Sequence, residues 1–309
     1  MPQPRSQKVL ISKTALSFTR SARTFLRIPF FNGEPMPIIF ISRGTMAGVR
    51  RLVDCVHERT GVRCICHEDL TEIINKHGDL ANRIVDKLTT ATSAYAQFSE
   101  LRWPYIVFMR NAMLGEIRHD NIIYHGYSGH LILPSLCHFV RVRVEAPMNM
   151  RVEMTIQRLK CDREKALEYI SNKDDQRVKW ARFMYAQDIR NTMLYDLTMN
   201  MGHMTLDAAC RIIENLMNEP DFQATPESRA EIDRLYLATC IEEALVTDPL
   251  TTKLEIRVKI DRENNIQLIG PYLDDQELDA VTQIATAIPH VDTFEYIPGY
   301  HSMIEIDSQ

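Results

Sequence analysis

Short apolar runs and helically spaced apolar positions alternate along most of the chain. Pro37-Ile38-Ile39-Phe40-Ile41-Ser42 is an apolar run that ends in a polar turn, Gly44 to Gly48. A run of that length without polar alternation suits a strand buried on both faces. Val49 to Thr60 follows as a helix, with Leu52, Val53 and Val56 on one face, and Val62 to Cys66 reads as a second strand after the turn at Gly61. Residues 68–100 are helical in composition, with apolar positions from Leu70 to Leu88, whereas Arg102 to Ala112 fits neither period. Asn121 to Tyr124 is a third strand, followed by a glycine turn at Gly126 and Gly129, and His138 to Ala146 is a fourth, ended by Pro147. Asn149 to Lys160 and Asp162 to Asn172 read as helices and Arg177 to Asp188 as a polar, aromatic stretch. Leu194 to Met199 is a fifth strand, and Thr205 to Met217 a closing helix. Strands alternating with helices predict an α/β domain, a parallel sheet flanked by helices. Ligands of such sheets sit at the carboxyl ends of the strands, where the turns after Ile41 and Tyr124 lie.

The pattern breaks at residues 219–226, where proline, acids and small polar residues mark a linker. Beyond it come a helix from Glu227 to Val246, strands from Lys253 to Ile260 and Ile266 to Ile269, a helix from Asp274 to Ala287 and a strand from Val291 to Ile297. This αββαβ order predicts a small two-layer domain over 227–300, after a first domain over 36–218.

Composition changes this picture mainly at the N-terminus. Residues 1–35 carry Arg5, Lys8, Lys13, Arg20, Arg23 and Arg27 against a single acid, Glu34. A basic, Ser-rich, acid-poor segment is how an organellar presequence reads. The plainer expectation is a flexible basic extension, or a true start at Met36. The net charge of −5 gives no reason to expect nucleic-acid binding. No apolar run approaches the roughly 20 residues of a membrane-spanning helix. Seven scattered cysteines, an odd number, argue against a disulfide framework and point to a reducing, cytoplasmic location. Cys64-Ile65-Cys66-His67 has metal-like density, but no second cluster completes four ligands, so strand or loop cysteines are expected there.

Two stretches carry chemistry. The first is Ile41-Ser42-Arg43-Gly44-Thr45-Met46-Ala47-Gly48-Val49-Arg50, a strand running through a glycine turn into a helix. Backbone amides at a helix N-terminus favour an anion, and glycine lets the chain approach it. The usual G-x-x-x-x-G-K-[ST] lysine is absent. The second runs from His138-Phe139-Val140-Arg141 to Ala146-Pro147, then Arg151, Arg158, Asp174-Asp175-Gln176-Arg177, Tyr195-Asp196-Leu197 and Asn200-Met201-Gly202.

Together these stretches resemble the cytidylate-kinase-like branch of the P-loop nucleoside-monophosphate kinases. That family has Ile-Ser-Arg before a Gly-Ser-Gly-Gly-Arg turn, a strand ending in Ala-Pro, an Asp-x-x-Arg lid element, and Tyr-Asp-Leu before Asn-Thr-Gly. Ser42, Arg43, Gly48 and Arg50 match the turn, while Met46 and Val49 replace two glycines. Where the family commonly carries Gly-Arg-Gly after the third strand, this chain has Tyr124-His125-Gly126-Tyr127-Ser128-Gly129-His130, and Gly126 takes the arginine's place. The C-terminal part resembles a BON domain, through Ile241 to Leu245, Ile256-Arg257-Val258, Ile266 to Gly270 and Ile288-Pro289-His290-Val291.

The resemblance implies phosphoryl transfer from ATP, with magnesium, to CMP or a related nucleoside monophosphate. Ser42, Arg43, Gly44, Gly48, Arg50, His125 and Gly126 would then hold nucleotide phosphates. Arg50, Arg151, Arg158 and Arg177 would stabilise the moving group, and Asp174 would order Arg177 or sit near magnesium. The departures from the pattern favour a second reading, a degenerate kinase domain that senses a nucleotide or other ligand and acts through the BON-like module. The partners implied are a nucleotide and a small ligand, lipid or protein at that module.

Overall fold

The computed structural model describes residues 9–12, 37–76, 78–90, 95–118 and 121–299. Among them the strands are β1 (Val9–Ser12), β2 (Ile38–Arg43), β3 (Arg63–Cys66), β4 (Ile122–Gly126), β5 (Phe139–Glu145), β6 (Leu197–Asn200), β7 (Arg257–Ile260), β8 (Ile266–Gly270) and β9 (Thr293–Pro298). The helices are α1 (Val49–Thr60), α2 (His67–Asn75), α3 (Asp79–Thr90), α4 (Arg102–Ile117), α5 (Met148–Leu159), α6 (Arg163–Tyr185), α7 (Leu206–Asn218), α8 (Pro226–Thr247) and α9 (Asp275–Ala287).

The larger sheet has five parallel strands in the order β3-β4-β2-β5-β6. β2 is central, and successive side chains of a strand face opposite sides. Ile38 and Phe40 therefore join the core formed with α2, α3 and α4, while Ile39 and Ile41 join the core formed with α1 and α7. A strand that serves two cores must be apolar throughout, which is why its sequence shows no alternation.

α4 occupies the segment whose period was ambiguous. It is covered on both sides, by the sheet and by α8, and twelve of its residues are buried. A helix buried all round has no polar stripe to reveal its period. α6 is continuous from Arg163 to Tyr185, so it runs past the expected end at Asn172 and takes in most of the polar, aromatic stretch from Arg177.

The smaller sheet is mixed, in the order β1-β9-β8-β7, with α8 and α9 packed on it. Two expectations change here. Part of the basic extension belongs to the fold, because Val9–Ser12 pairs antiparallel with β9; Arg5, Lys8, Lys13, Arg20, Arg23, Arg27, Glu34 and Met36 lie outside the described residues. The linker is a single turn, Pro220–Phe222, before α8. α8 sends Ile232, Leu235, Tyr236 and Val246 into the larger core and Ala238, Ile241 and Leu245 into the smaller. No helix among the described residues is long and apolar enough to cross a membrane.

A fragment ending at Asn218 should therefore melt well below the full chain, since it uncovers the α4 surface under α8; removing that burial costs several kcal/mol. Equal melting temperatures would show that the larger unit does not need α8. A second expectation concerns Glu242 on α8, which is 2% exposed. Burial raises its carboxyl from 4.5 to about 7. A raised folded value favours folding fully below 4.5, and that advantage is lost as pH rises through 7. Glu242→Gln should gain roughly 3 kcal/mol on the wild type between pH 4.5 and 8 in denaturant titrations.

Candidate functional site

The β2–α1 turn lies at the carboxyl edge of the sheet, beside the end of β4. Gly48 caps α1 with φ 84° and Met46 has φ 59°. Met46 thus keeps a backbone conformation that suits glycine, at a cost of about 1–2 kcal/mol. Gly44 has no room for a side chain, because a Cβ there would come within 2.7 Å of Glu145 Oε2.

An acid from α6 fills the turn. Asp174 Oδ1 accepts the Thr45 backbone N–H at 3.0 Å and the Thr45 hydroxyl at 2.6 Å. Its Oδ2 accepts from Arg151 Nη2, and Arg151 Nε donates to Thr45 O at 2.7 Å. Burial alone would raise the Asp174 carboxyl; the hydrogen bonds from Thr45 and Arg151 together outweigh it and hold the group below its ordinary value. Arg151 is 7% exposed, whereas the Asp174 side chain is 34% exposed, so only the arginine is fully removed from water.

Arg177, one turn further along α6, stands 3.8 Å from Asp174 Oδ1 and 3.8 Å over the Tyr127 ring. Burial lowers its pKa, and the guanidinium rests on the face of the ring, where a cation is favoured. Arg43 approaches the same ring at 5.6 Å. Ser42 donates its hydroxyl to Tyr127 O at 3.2 Å and lies 3.3 Å from the Tyr195 hydroxyl. Tyr195 in turn donates to Ile189 O and accepts from Arg143, which pairs with Glu145.

The structure thus brings Ser42, Arg43, Gly44, Arg151, Asp174 and Arg177 together around Thr45, with Gly48 closing the turn. It leaves Arg50 exposed on the first turn of α1 and Arg158 exposed in the last turn of α5. His125 is half-buried at the end of β4. Burial lowers its pKa, and the Arg43 and Arg50 charges lower it further. His130 is buried against Tyr195 at 4.7 Å between ring centres; burial, then Arg141 and Arg143, lowers it to about 3, so it is neutral. Gly126 and Gly129 are required by Tyr124, whose ring any Cβ at either position would strike.

A cavity of about 240 Å³ opens beside Tyr127, walled by Tyr105, Tyr124, Trp180 and Tyr185, with Lys173 and Arg177 of α6 on its polar side. The buried Ser128 Oγ and Arg177 Nη1 line it without hydrogen-bond partners. Of these residues, only Arg177 was anticipated by the sequence reading. Tyr127 and Ser128 sat in a loop read for its glycines, and Trp180 sat in a stretch read only as polar and aromatic.

The resident groups fit magnesium poorly. Both oxygens of Asp174 are engaged by Thr45 and Arg151, Glu145 is paired with Arg143, and no group of three or more His, Cys, Asp or Glu gathers as a metal site among the described residues. Cys64 and Cys66 lie on β3, with burial raising their thiols to about 11 and about 12, which leaves them protonated.

A five-stranded parallel sheet with this strand-turn-helix at its carboxyl edge defines a nucleoside-monophosphate kinase type of α/β protein. Residues 38–203, more than half of the chain, match the cytidylate kinase-like family, and the chain belongs to it. Comparison with curated proteins finds no match. Solved structures similar in part include an uncharacterized protein from Eubacterium ventriosum ATCC 27560, at 14% identity and TM-score 0.47, covering 59% of this chain and 99% of that one. Shikimate kinase from Bacteroides thetaiotaomicron gives 15% identity and TM-score 0.35, covering 60% and 99%. Dephospho-CoA kinase from Campylobacter jejuni gives 10% and 0.32, covering 59% and 97%.

If Asp174 stands where an anion would otherwise sit, Asp174→Ala should strand the Arg151 charge. The full loss of a buried partner costs more, but the partial exposure of Asp174 limits the drop to about 1–3 kcal/mol. Added inorganic phosphate should restore the melting temperature of the variant more than it raises that of the wild type. An equal response of the two proteins would mean that the turn holds no anion.

Proposed function

We propose that this protein is a ligand-sensing, non-catalytic member of its family, in which an internal carboxylate takes the place of a nucleotide phosphate. The observation that carries the reading is the grip of Thr45 and Arg151 on Asp174. An amide, a hydroxyl and a guanidinium converging on one carboxylate are the donors that a phosphate oxygen would demand. With Val49 and the exposed Arg50 in place of a P-loop lysine, no positive side chain remains in the turn to draw ATP against that competitor.

The ligand end of this reading is the aromatic cavity. Tyr105, Tyr124, Trp180 and Tyr185 give the cavity an aromatic wall suited to a ring, and Lys173, Arg177 and Ser128 offer donors for an anionic group. A nucleoside monophosphate such as CMP combines those two features. The C-terminal mixed-sheet unit, with its BON-like sequence pattern, is proposed as the output, reached through α8. The second reading, an ATP- and magnesium-dependent kinase acting on CMP, is favoured by the placement of Arg151 and Arg177 at one site. It requires Asp174 to leave the turn.

Calorimetry with CMP and with ATP, each with and without magnesium, followed by turnover on any monophosphate that binds, separates the two. Binding of CMP without ATP binding or turnover is the expected result. Steady ADP production that depends on CMP would replace the sensing reading with the kinase one, and Arg177→Ala should then lower turnover about 10²–10³-fold.

A further inference from the structure

A second cleft, of about 800 Å³, lies at the seam between α4, residues 133–137, α8 and β7. It shares no residue with the turn or the aromatic cavity. Its inner wall holds Glu242, 2% exposed. Glu242 Oε1 accepts the Val258 N–H at 3.0 Å, and Oε2 has no hydrogen-bond partner. An acid buried with one oxygen unmet is costly in a folded protein, and a ligand that donates to it recovers that cost.

β7 is the last strand of its sheet, and an open strand edge could accept another strand. Glu242 already takes the outward N–H of Val258, which blocks strand addition at that point. The site therefore suits a small molecule better than an extended peptide.

The charges around the cleft narrow the ligand. Arg234 is paired with Glu231, Arg262 with Glu227 and Arg257 with Glu255. Arg110 gives its Nε–H to Ile132 O, and its positive charge acts on the Glu242 carboxyl. Lys259 lies at the exposed rim. The interior thus offers one unmet acceptor on Glu242, a nearby cation, Arg110, whose guanidinium forms no ion pair with the other acids of the cleft, and an apolar wall that includes Leu114, Leu235 and Ala238.

We propose that this cleft binds a free α-amino acid with an apolar side chain, its ammonium group donating to Glu242 Oε2 and its carboxylate meeting Arg110. The ligand touches α4 and β7 at once, so it reports to both units of the chain. The proposal is independent of what the aromatic cavity binds.

Calorimetry and thermal melting of the full chain with L-leucine, L-valine, L-methionine and L-phenylalanine test it. At least one should bind and raise the melting temperature. Leucinamide, which lacks the carboxylate, and N-acetyl-leucine, which lacks the ammonium, should each bind about ten-fold or more weakly than L-leucine. Glu242→Gln keeps the Val258 contact and should fold, yet lose about ten-fold or more in affinity, as should Arg110→Gln. Absence of binding by all four amino acids at about 10 mM, or unchanged affinity in both folded variants, overturns the proposal.

Discussion

The ion pair between Asp174 and Arg151 fixes the geometry around which the rest of the site is arranged. It ties the first helical turn of α5 to the middle of α6 and locks both onto the backbone of Thr45. Because α6 is one continuous helix, holding Asp174 also sets Arg177 over Tyr127 and Trp180 on the cavity wall. The desolvation of this pair is a real cost, and two hydrogen bonds from Thr45 to the carboxylate plus one from Arg151 to the Thr45 carbonyl offset it. One contact thus orders the turn, the polar side of the cavity and the approach of two helices.

The departures from the family pattern make physical sense beside one another. Gly126 and Gly129 leave space that the Tyr124 ring fills, so the loss of an arginine there accompanies the gain of an aromatic wall. Met46 holds a left-handed backbone without glycine, which a turn tolerates only when its neighbours over-determine it. Asp174 gripping Thr45, one residue away, is such a neighbour. The shared motifs that remain are structural. Asp196 binds Arg141 through its backbone and guanidinium, and Asn200 accepts from Gly202, whose lack of a Cβ lets it lie against Pro147.

Much of this was legible in the residues. The parallel sheet could be read because β2 is apolar on both faces and strands alternate with helices along the chain, and the turn could be read because Gly44 and Gly48 bracket it. The gathering of Arg151, Asp174 and Arg177 followed from the motif order, and an Asp174–Arg177 contact could be weighed from their spacing, but the grip of Thr45 and Arg151 on Asp174 could not. A spacing says which residues share a helix face, not whether an acid points at a ligand or at the chain's own amide. α4 was hidden because burial all round erases the helical period. The dual allegiance of α8 was hidden because its two apolar faces serve different cores, and Arg50 and Arg158 matched the motif without reaching the site.

The pairing of β1 with β9 sets Val9 opposite Tyr296, 287 positions later in the chain. On a ribosome, β7 and β8 can pair before β9 is complete, yet β1, the earliest of the described strands, must wait for β9, the latest of them. Closure of so long a loop is entropically unfavourable and slow. Until then the far edge of β9 has no cover from within the protein, and β1 stays available to any other chain with an open edge. Such an exchange between two copies, each lending its first strand to the other, is the misassembly this topology leaves open during synthesis.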